Sequence, residues 1–211
     1  MIEILAVGGL LGIKHALEPD HIIAVSTIVG KNKGFWRSSF LGLFWGLGHT
    51  LALLFIFLIL SLTKSSIPEA WSMSFEMGVG VMLIYLGVAS FLNPQFSKRK
   101  ISQQTESSNR GLFFKSLVIG QIHGLAGSAA MTILALSMVD SAAEAFNYIG
   151  VFGIGTILGM LLFTLLLSIP FQLSTHKYKL NRTLIGMTSA VSVIYGLYYI
   201  YKIGFVDGLF V

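Results

Sequence analysis

The sequence contains no cysteine, which removes disulfides, thiolate metal sites and cysteine nucleophiles together. It is also poor in charge. Asp, Glu, Lys and Arg make up 11% of the chain, against about 25% in soluble domains. Proline occurs only four times, at Pro19, Pro68, Pro94 and Pro170. The start, Met1-Ile2-Glu3, lacks the basic region and small-residue cleavage site of a signal peptide, so the first apolar segment is expected to stay in the mature protein.

What remains is 55% apolar over 211 residues, with a mean hydropathy of +0.80. That composition predicts an all-α polytopic membrane protein forming a single membrane domain over 1–211. A crossing takes about 20 apolar residues, and six segments qualify, near 2–30, 37–63, 72–92, 113–138, 144–170 and 183–203. The first is long and carries Pro19, which removes an amide donor and clashes one turn back, so we read it as a helix broken near Pro19. Pro68 falls in the loop after the second segment, Pro94 closes the third, and Pro170 marks the end of the fifth.

The net charge of +5 is placed in loops rather than on a nucleic-acid surface. Lys31, Lys33 and Arg37 fall in loop one, Lys98, Arg99, Lys100, Arg110 and Lys115 in loop three, and Lys177, Lys179 and Arg182 in loop five. Together these hold eleven of the fourteen basic residues. Glu3, Glu69, Glu76, Asp140, Glu144 and Asp207 fall on the other side, with Lys64 and Lys202. By the positive-inside rule both termini lie outside the cytoplasmic membrane. Trp36, Trp71, Tyr198, Tyr199 and Tyr201 sit where interfacial anchors belong.

Residues 93–112, rich in Ser, Gln and Lys and without hydrophobic period, read as a flexible cytoplasmic linker between two halves, 1–92 and 113–211. The halves resemble each other. Gly12-Ile-Lys-His15-Ala-Leu17 aligns with Gly120-Gln-Ile-His123-Gly-Leu125, and Gly46-Leu-Gly48 with Gly153-Ile-Gly155. Three crossings per half would set them in opposite orientations, a 3+3 inverted repeat with its site at the midplane. Gly42-x-x-x-Gly46 and Gly155-x-x-x-Gly159 would let the second and fifth segments approach closely.

Against so little charge, Lys14, His15, Glu18, Asp20 and His21 fall within eight residues of the first segment. A charge near the bilayer centre costs roughly 2.5–3.5 kcal/mol on insertion scales, so such a cluster must be paired, hydrated or holding an ion. His49 and His123 lie near the middle of their own segments, at a depth similar to His15. His176 falls in basic loop five and reads as a solvated residue; Met73, Met77 and Met82 read as packing. On a straight helix, at about 100° per residue, His15 and Asp20 would project roughly 140° apart and His21 a further 100° round. Chelation therefore needs unwinding at Pro19. Imidazole with carboxylate suits nickel, cobalt, zinc, copper(II) or iron. Lys14 and Glu18, four residues apart, could neutralise each other, or Glu18 could guide cations toward Asp20.

His15-x4-Asp20-His21 resembles the signature of the nickel/cobalt transporter family, and Gly46-Leu-Gly48-His49-Thr50 resembles its second motif. His123-Gly-Leu-Ala-Gly-Ser128 is similar to the shorter, urease-accessory branch, whereas longer members carry more segments and an acidic motif in the second half. The resemblance implies a non-enzymatic permease that moves Ni²⁺ or Co²⁺ across the cytoplasmic membrane by alternating access, with no prosthetic group. His15, Asp20, His21, His49 and His123 would be the metal ligands, with Lys14, Glu18, Pro19, Thr50 and Ser128 accessory. Two other functions use the same residues: a haem-binding redox protein with two midplane histidines as axial ligands, and a proton-coupled metal exporter with a His/carboxylate relay.

Overall fold

The computed structural model describes residues 2–30, 34–63, 68–92, 106–139, 141–174 and 178–210, without the side chains of 106–110, 128–130, 132–134, 136–138 and 178. Every element among them is helical: α1 (Ile2–His15), α2 (Pro19–Val29), α3 (Phe35–Thr63), α4 (Glu69–Phe91), α5 (Glu106–Met138), α6 (Ala142–Leu173) and α7 (Tyr178–Tyr201), which runs into a π-helical turn, Lys202–Val206. Four of the described helices are long and apolar enough to cross a membrane: α3, α4, α6, and α7 with its π-turn. The chain is a membrane protein. Apolar side chains such as Leu51, Phe55, Ile154 and Leu158 point outward, where a bilayer rather than water would solvate them.

The expected break at Pro19 divides the first segment into α1 and α2. Its cause is local. Pro19 disfavours helical geometry at the residue before it, and Glu18 is extended at φ −64° and ψ 147°. Pro19 then takes the first helical position of α2, where an amide would have had no partner anyway. Between the helices, the Leu17 amide donates to the Lys14 carbonyl at 2.9 Å and the Glu18 amide to the His15 carbonyl at 3.0 Å.

Two boundaries differ from expectation. Pro170 lies inside α6 rather than at its end: the helix runs on to Leu173 although the proline has no amide to give the Leu166 carbonyl, and the Ser174 amide donates to the Pro170 carbonyl and closes it. Residues 106–112, assigned to the linker, begin α5, while 93–105 and the loop histidine His176 lie outside the described residues.

Glycines set the helix packing, and their contacts give its directions. A Cβ at Gly12 would strike the Phe152 carbonyl, one at Gly155 the Gly9 carbonyl, and Gly8 lies against the Tyr148 ring, so α1 and α6 run parallel. A Cβ at Gly48 would strike the Leu117 carbonyl, one at Gly120 the Trp45 carbonyl, and Ser116 Oγ donates to the Leu41 carbonyl at 2.7 Å, so α3 and α5 run parallel. Gly42 meets Met160 and Thr164 while Gly46 meets Ile157, so α3 and α6 are antiparallel. Gly80 and Gly196 meet each other's carbonyls, and Ser192 Oγ donates to the Leu83 carbonyl at 2.7 Å, holding α4 and α7 antiparallel. The expected pairing of the second and fifth segments is therefore half of the arrangement: Gly42 and Gly46 seat α3 on α6, but Gly155 and Gly159 seat α1 on α6.

Candidate metal centre

The break that separates α1 from α2 also turns their ends toward one point. His15 is the last residue of α1, and Asp20 and His21 stand in the first turn of α2. His49 comes from the middle of α3 and His123 from α5. His21, His49 and His123 are buried, while His15 and Asp20 keep side-chain exposures of 12% and 14%. All five sequence-predicted ligands meet. His15 Nε2 lies 3.2 Å from His49 Nε2, and the rings of His21 and His123 lie 4.0 Å apart.

Asp20 is the hub. Its Oδ1 accepts the His21 amide at 3.0 Å and His21 Nδ1 at 3.2 Å, and its Oδ2 accepts His123 Nε2 at 2.8 Å. At the start of α2 the carboxylate also faces the positive end of the helix dipole. A carboxylate that collects several N–H donors is stabilised as an anion without requiring a lysine or arginine beside it.

Glu18, half exposed, accepts His15 Nδ1 at 3.0 Å. It does so in place of Lys14, whose side chain is exposed and makes no salt bridge among the described residues. The turn at 16–18 causes this change: with the helix ended at His15, a spacing of four no longer brings Lys14 alongside Glu18. A carboxylate on one imidazole nitrogen fixes the other as the lone-pair donor, which is how outer carboxylates orient metal-binding histidines.

Two groups of donors can be drawn. One ligand atom each from His15, His21 and His49 lie within 4.8 Å of one another, and so do one each from Asp20, His21 and His123. Among the described residues, the buried atoms His21 Nε2, His49 Nδ1 and His123 Nδ1 have no hydrogen-bond partner. Unpaired buried polar atoms are costly, and three in one cluster mark a site built for something other than its own hydrogen bonds.

Of the accessory residues, Pro19 creates the break and Thr50 is structural, its Oγ1 donating to the Gly153 carbonyl at 3.2 Å and tying α3 to α6. The side chain of Ser128 lies outside the described residues. Sequence reasoning missed two aromatics. Phe152 stands 5.4 Å from His15 and Trp45 5.9 Å from His123, ring centre to ring centre, and both are buried. Their signal was present: Trp45 precedes His49 by one helical turn, and Phe152 is its counterpart in the second half.

The whole chain aligns with the urease accessory protein UreH of Bacillus sp. (strain TB-90), at 46% identity over 218 positions covering 96% of that protein. No family model matches the chain, and no solved structure matches it.

Proposed function

Because the chain belongs to the nickel/cobalt transporter family, in its urease-accessory branch, we propose that it is a secondary permease for divalent nickel, with cobalt as the second ion its ligands suit. The observation that carries this reading is the convergence of one carboxylate and four imidazoles on a helix break inside the membrane domain. Imidazole and carboxylate donors favour a borderline transition-metal ion, and sites at broken helices are where secondary transporters bind their substrates. A nickel supply also fits the UreH relative, a urease accessory protein.

Transport runs by alternating access between two inverted halves, each of three crossings, in the cytoplasmic membrane with both termini outside. Matched contacts support the repeat. Gly12 against Phe152 corresponds to Gly120 against Trp45, and Gly155 against Gly9 to Gly48 against Leu117, at the offsets of 107 and 108 residues that align the two halves. Metal arrives as a hydrated cation, exchanges water for imidazole nitrogen and the Asp20 carboxylate, and leaves to the cytoplasm when the halves rock. An inside-negative potential contributes about 2.3 kcal/mol per charge per 100 mV, roughly doubled for a divalent ion, so inward movement needs no coupled proton.

The haem reading fits less well. A haem needs two axial imidazoles on opposite faces of a macrocycle, whereas His15 and His49 touch each other and His21 and His123 are packed ring against ring. The test is uptake into proteoliposomes of purified protein, with nickel, cobalt and zinc at matched concentrations. Nickel should accumulate faster when the interior is negative, and Asp20→Ala and His15→Ala should each reduce the rate to that of protein-free vesicles. Unchanged uptake in both variants would sink the mechanism.

A further inference from the structure

The two donor groups share His21 and nothing else. A neutral imidazole has one lone pair, on whichever nitrogen does not carry the proton, so His21 can serve one group at a time. We propose that the centre is two overlapping metal positions used in turn, with His21 handing a single ion from one to the other. This rests on the permease reading above.

Hydrogen bonds within the cluster rank the two positions. Carboxylates only accept, so Glu18 draws the His15 proton to Nδ1 and Asp20 draws the His21 proton to Nδ1. The lone pairs of both rings then sit on Nε2. For His21 that atom is buried and, among the described residues, bonded to nothing; for His15 it accepts from His49 Nε2 at 3.2 Å, so an ion at this position displaces one bond between neutral rings and His49 moves its proton to Nδ1. Ligands about 2.1 Å from one ion lie roughly 3–3.5 Å apart, so this spacing already matches an edge of a coordination shell. The first position is thus His15, His21 and His49, with Glu18 and Asp20 as the carboxylates behind two of its imidazoles.

The second position is held more tightly, by bonds to a charged carboxylate rather than between neutral rings. Asp20, His21 and His123 are engaged with one another, and an ion can enter only by replacing the N–H bonds that the carboxylate accepts. To follow the ion, His21 moves its proton from Nδ1 to Nε2 and presents Nδ1, and His123 makes the opposite exchange. No proton is gained or lost overall. Asp20 changes from the support of a ligand to a ligand, and its charge draws the ion off the all-nitrogen position. The half-exposed Glu18 beside His15 marks the first position as the one the ion meets first.

The experiment separates binding from transport on the full-length protein. Nickel binding is measured in detergent by equilibrium dialysis and X-ray absorption, and nickel uptake in proteoliposomes. Wild type should hold one nickel per chain in an imidazole-dominated shell. Asp20→Asn, which keeps an acceptor for His21, should retain that ion and shell with at most about a tenfold loss of affinity, the lower end for an outer-shell change, while uptake is lost. His123→Gln should behave likewise and covers the case in which the Asp20 variant does not fold. His49→Gln should lose at least about a hundredfold in affinity, beyond the usual outer-shell range. Loss of binding in Asp20→Asn and His123→Gln to the degree seen in His49→Gln would mean one composite site, and two nickel ions per chain would mean independent sites; either overturns the proposal. Wild-type uptake in Asp20→Asn overturns it too. Failure of wild type to bind nickel would instead overturn the permease reading itself.

Discussion

At Gly155 the backbone of α1 passes so close that a Cβ would strike the Gly9 carbonyl, whereas at Gly150, earlier on the same helix, a Cβ would meet nothing within 4 Å. Gly155→Ala should therefore destabilise the protein by about 1–3 kcal/mol, the usual range for overpacking, while Gly150→Ala should be neutral or stabilising, by up to about 1 kcal/mol, from its higher helix propensity. Thermal denaturation of the two variants in one detergent compares them, and equal midpoints would contradict the packing described. Glu18 is a case in which the sequence offered a choice of partners. Lys14 stands four residues before it and His15 three, and on a continuous helix both spacings are productive. The turn at 16–18 gives Glu18 to His15. Removing the carboxylate with Glu18→Ala should weaken nickel binding by about tenfold to a hundredfold, as loss of an outer partner does, and Lys14→Ala should leave binding unchanged. A larger effect from Lys14 would restore the expected pair.

At the scale of the element, the break between α1 and α2 is the part of the site most legible in the sequence, because the restriction imposed by Pro19 acts on its immediate neighbour and needs no tertiary context. Five donors spread over three apolar segments were legible for a related reason: ionisable groups there are costly enough to need a shared purpose. The seat of α1 was not legible. Gly155-x-x-x-Gly159 announces that some backbone comes close, but a small-residue pattern carries no information on which helix arrives, and that helix is α1 rather than α3. The linker boundary at 112 failed because the polar stretch Glu106-Ser-Ser-Asn109 has no hydrophobic period of its own and is carried as the start of a helix that continues to Met138. Pro19→Ala puts the break to the test. Without the pre-proline restriction, α1 and α2 can join, and a straight helix turns His15 and Asp20 roughly 140° apart. Nickel affinity should fall by about tenfold or more, equivalent to roughly 1.4 kcal/mol, with the helical content by circular dichroism equal to or above wild type. Unchanged affinity would show that packing of α2, not Pro19, holds the ligands together.

For the whole molecule, the antiparallel runs of α3 against α6 and α4 against α7 are what two inverted halves require, and the sequence hinted at them through glycines spaced 107 and 108 residues apart. The proposed ligands do not follow the proposed repeat. At the positions that correspond to Asp20, His21 and His49, the second half has Ser128, Ala129 and Thr156, and only His15 has a histidine counterpart, His123. What the proposed alignment of the halves does pair is an aromatic ring beside each of these two histidines, Phe152 at His15 and Trp45 at His123. Because α3 and α6 run in opposite directions, Trp45 lies one turn before His49 toward the end where α3 begins, and Phe152 lies toward the opposite face of the membrane domain. If the halves rock, each ring should shield the site from one side. A chain without cysteine gives a clean background for testing this. A cysteine at Phe152 should react with a membrane-impermeant thiol reagent added outside, and one at Trp45 with the reagent added to the cytoplasmic face of inverted vesicles. Nickel should slow both reactions, and a cysteine at lipid-facing Leu162 should react with neither. Labelling of both positions from the same side would break the correspondence between the rings and contradict the proposed alternating access.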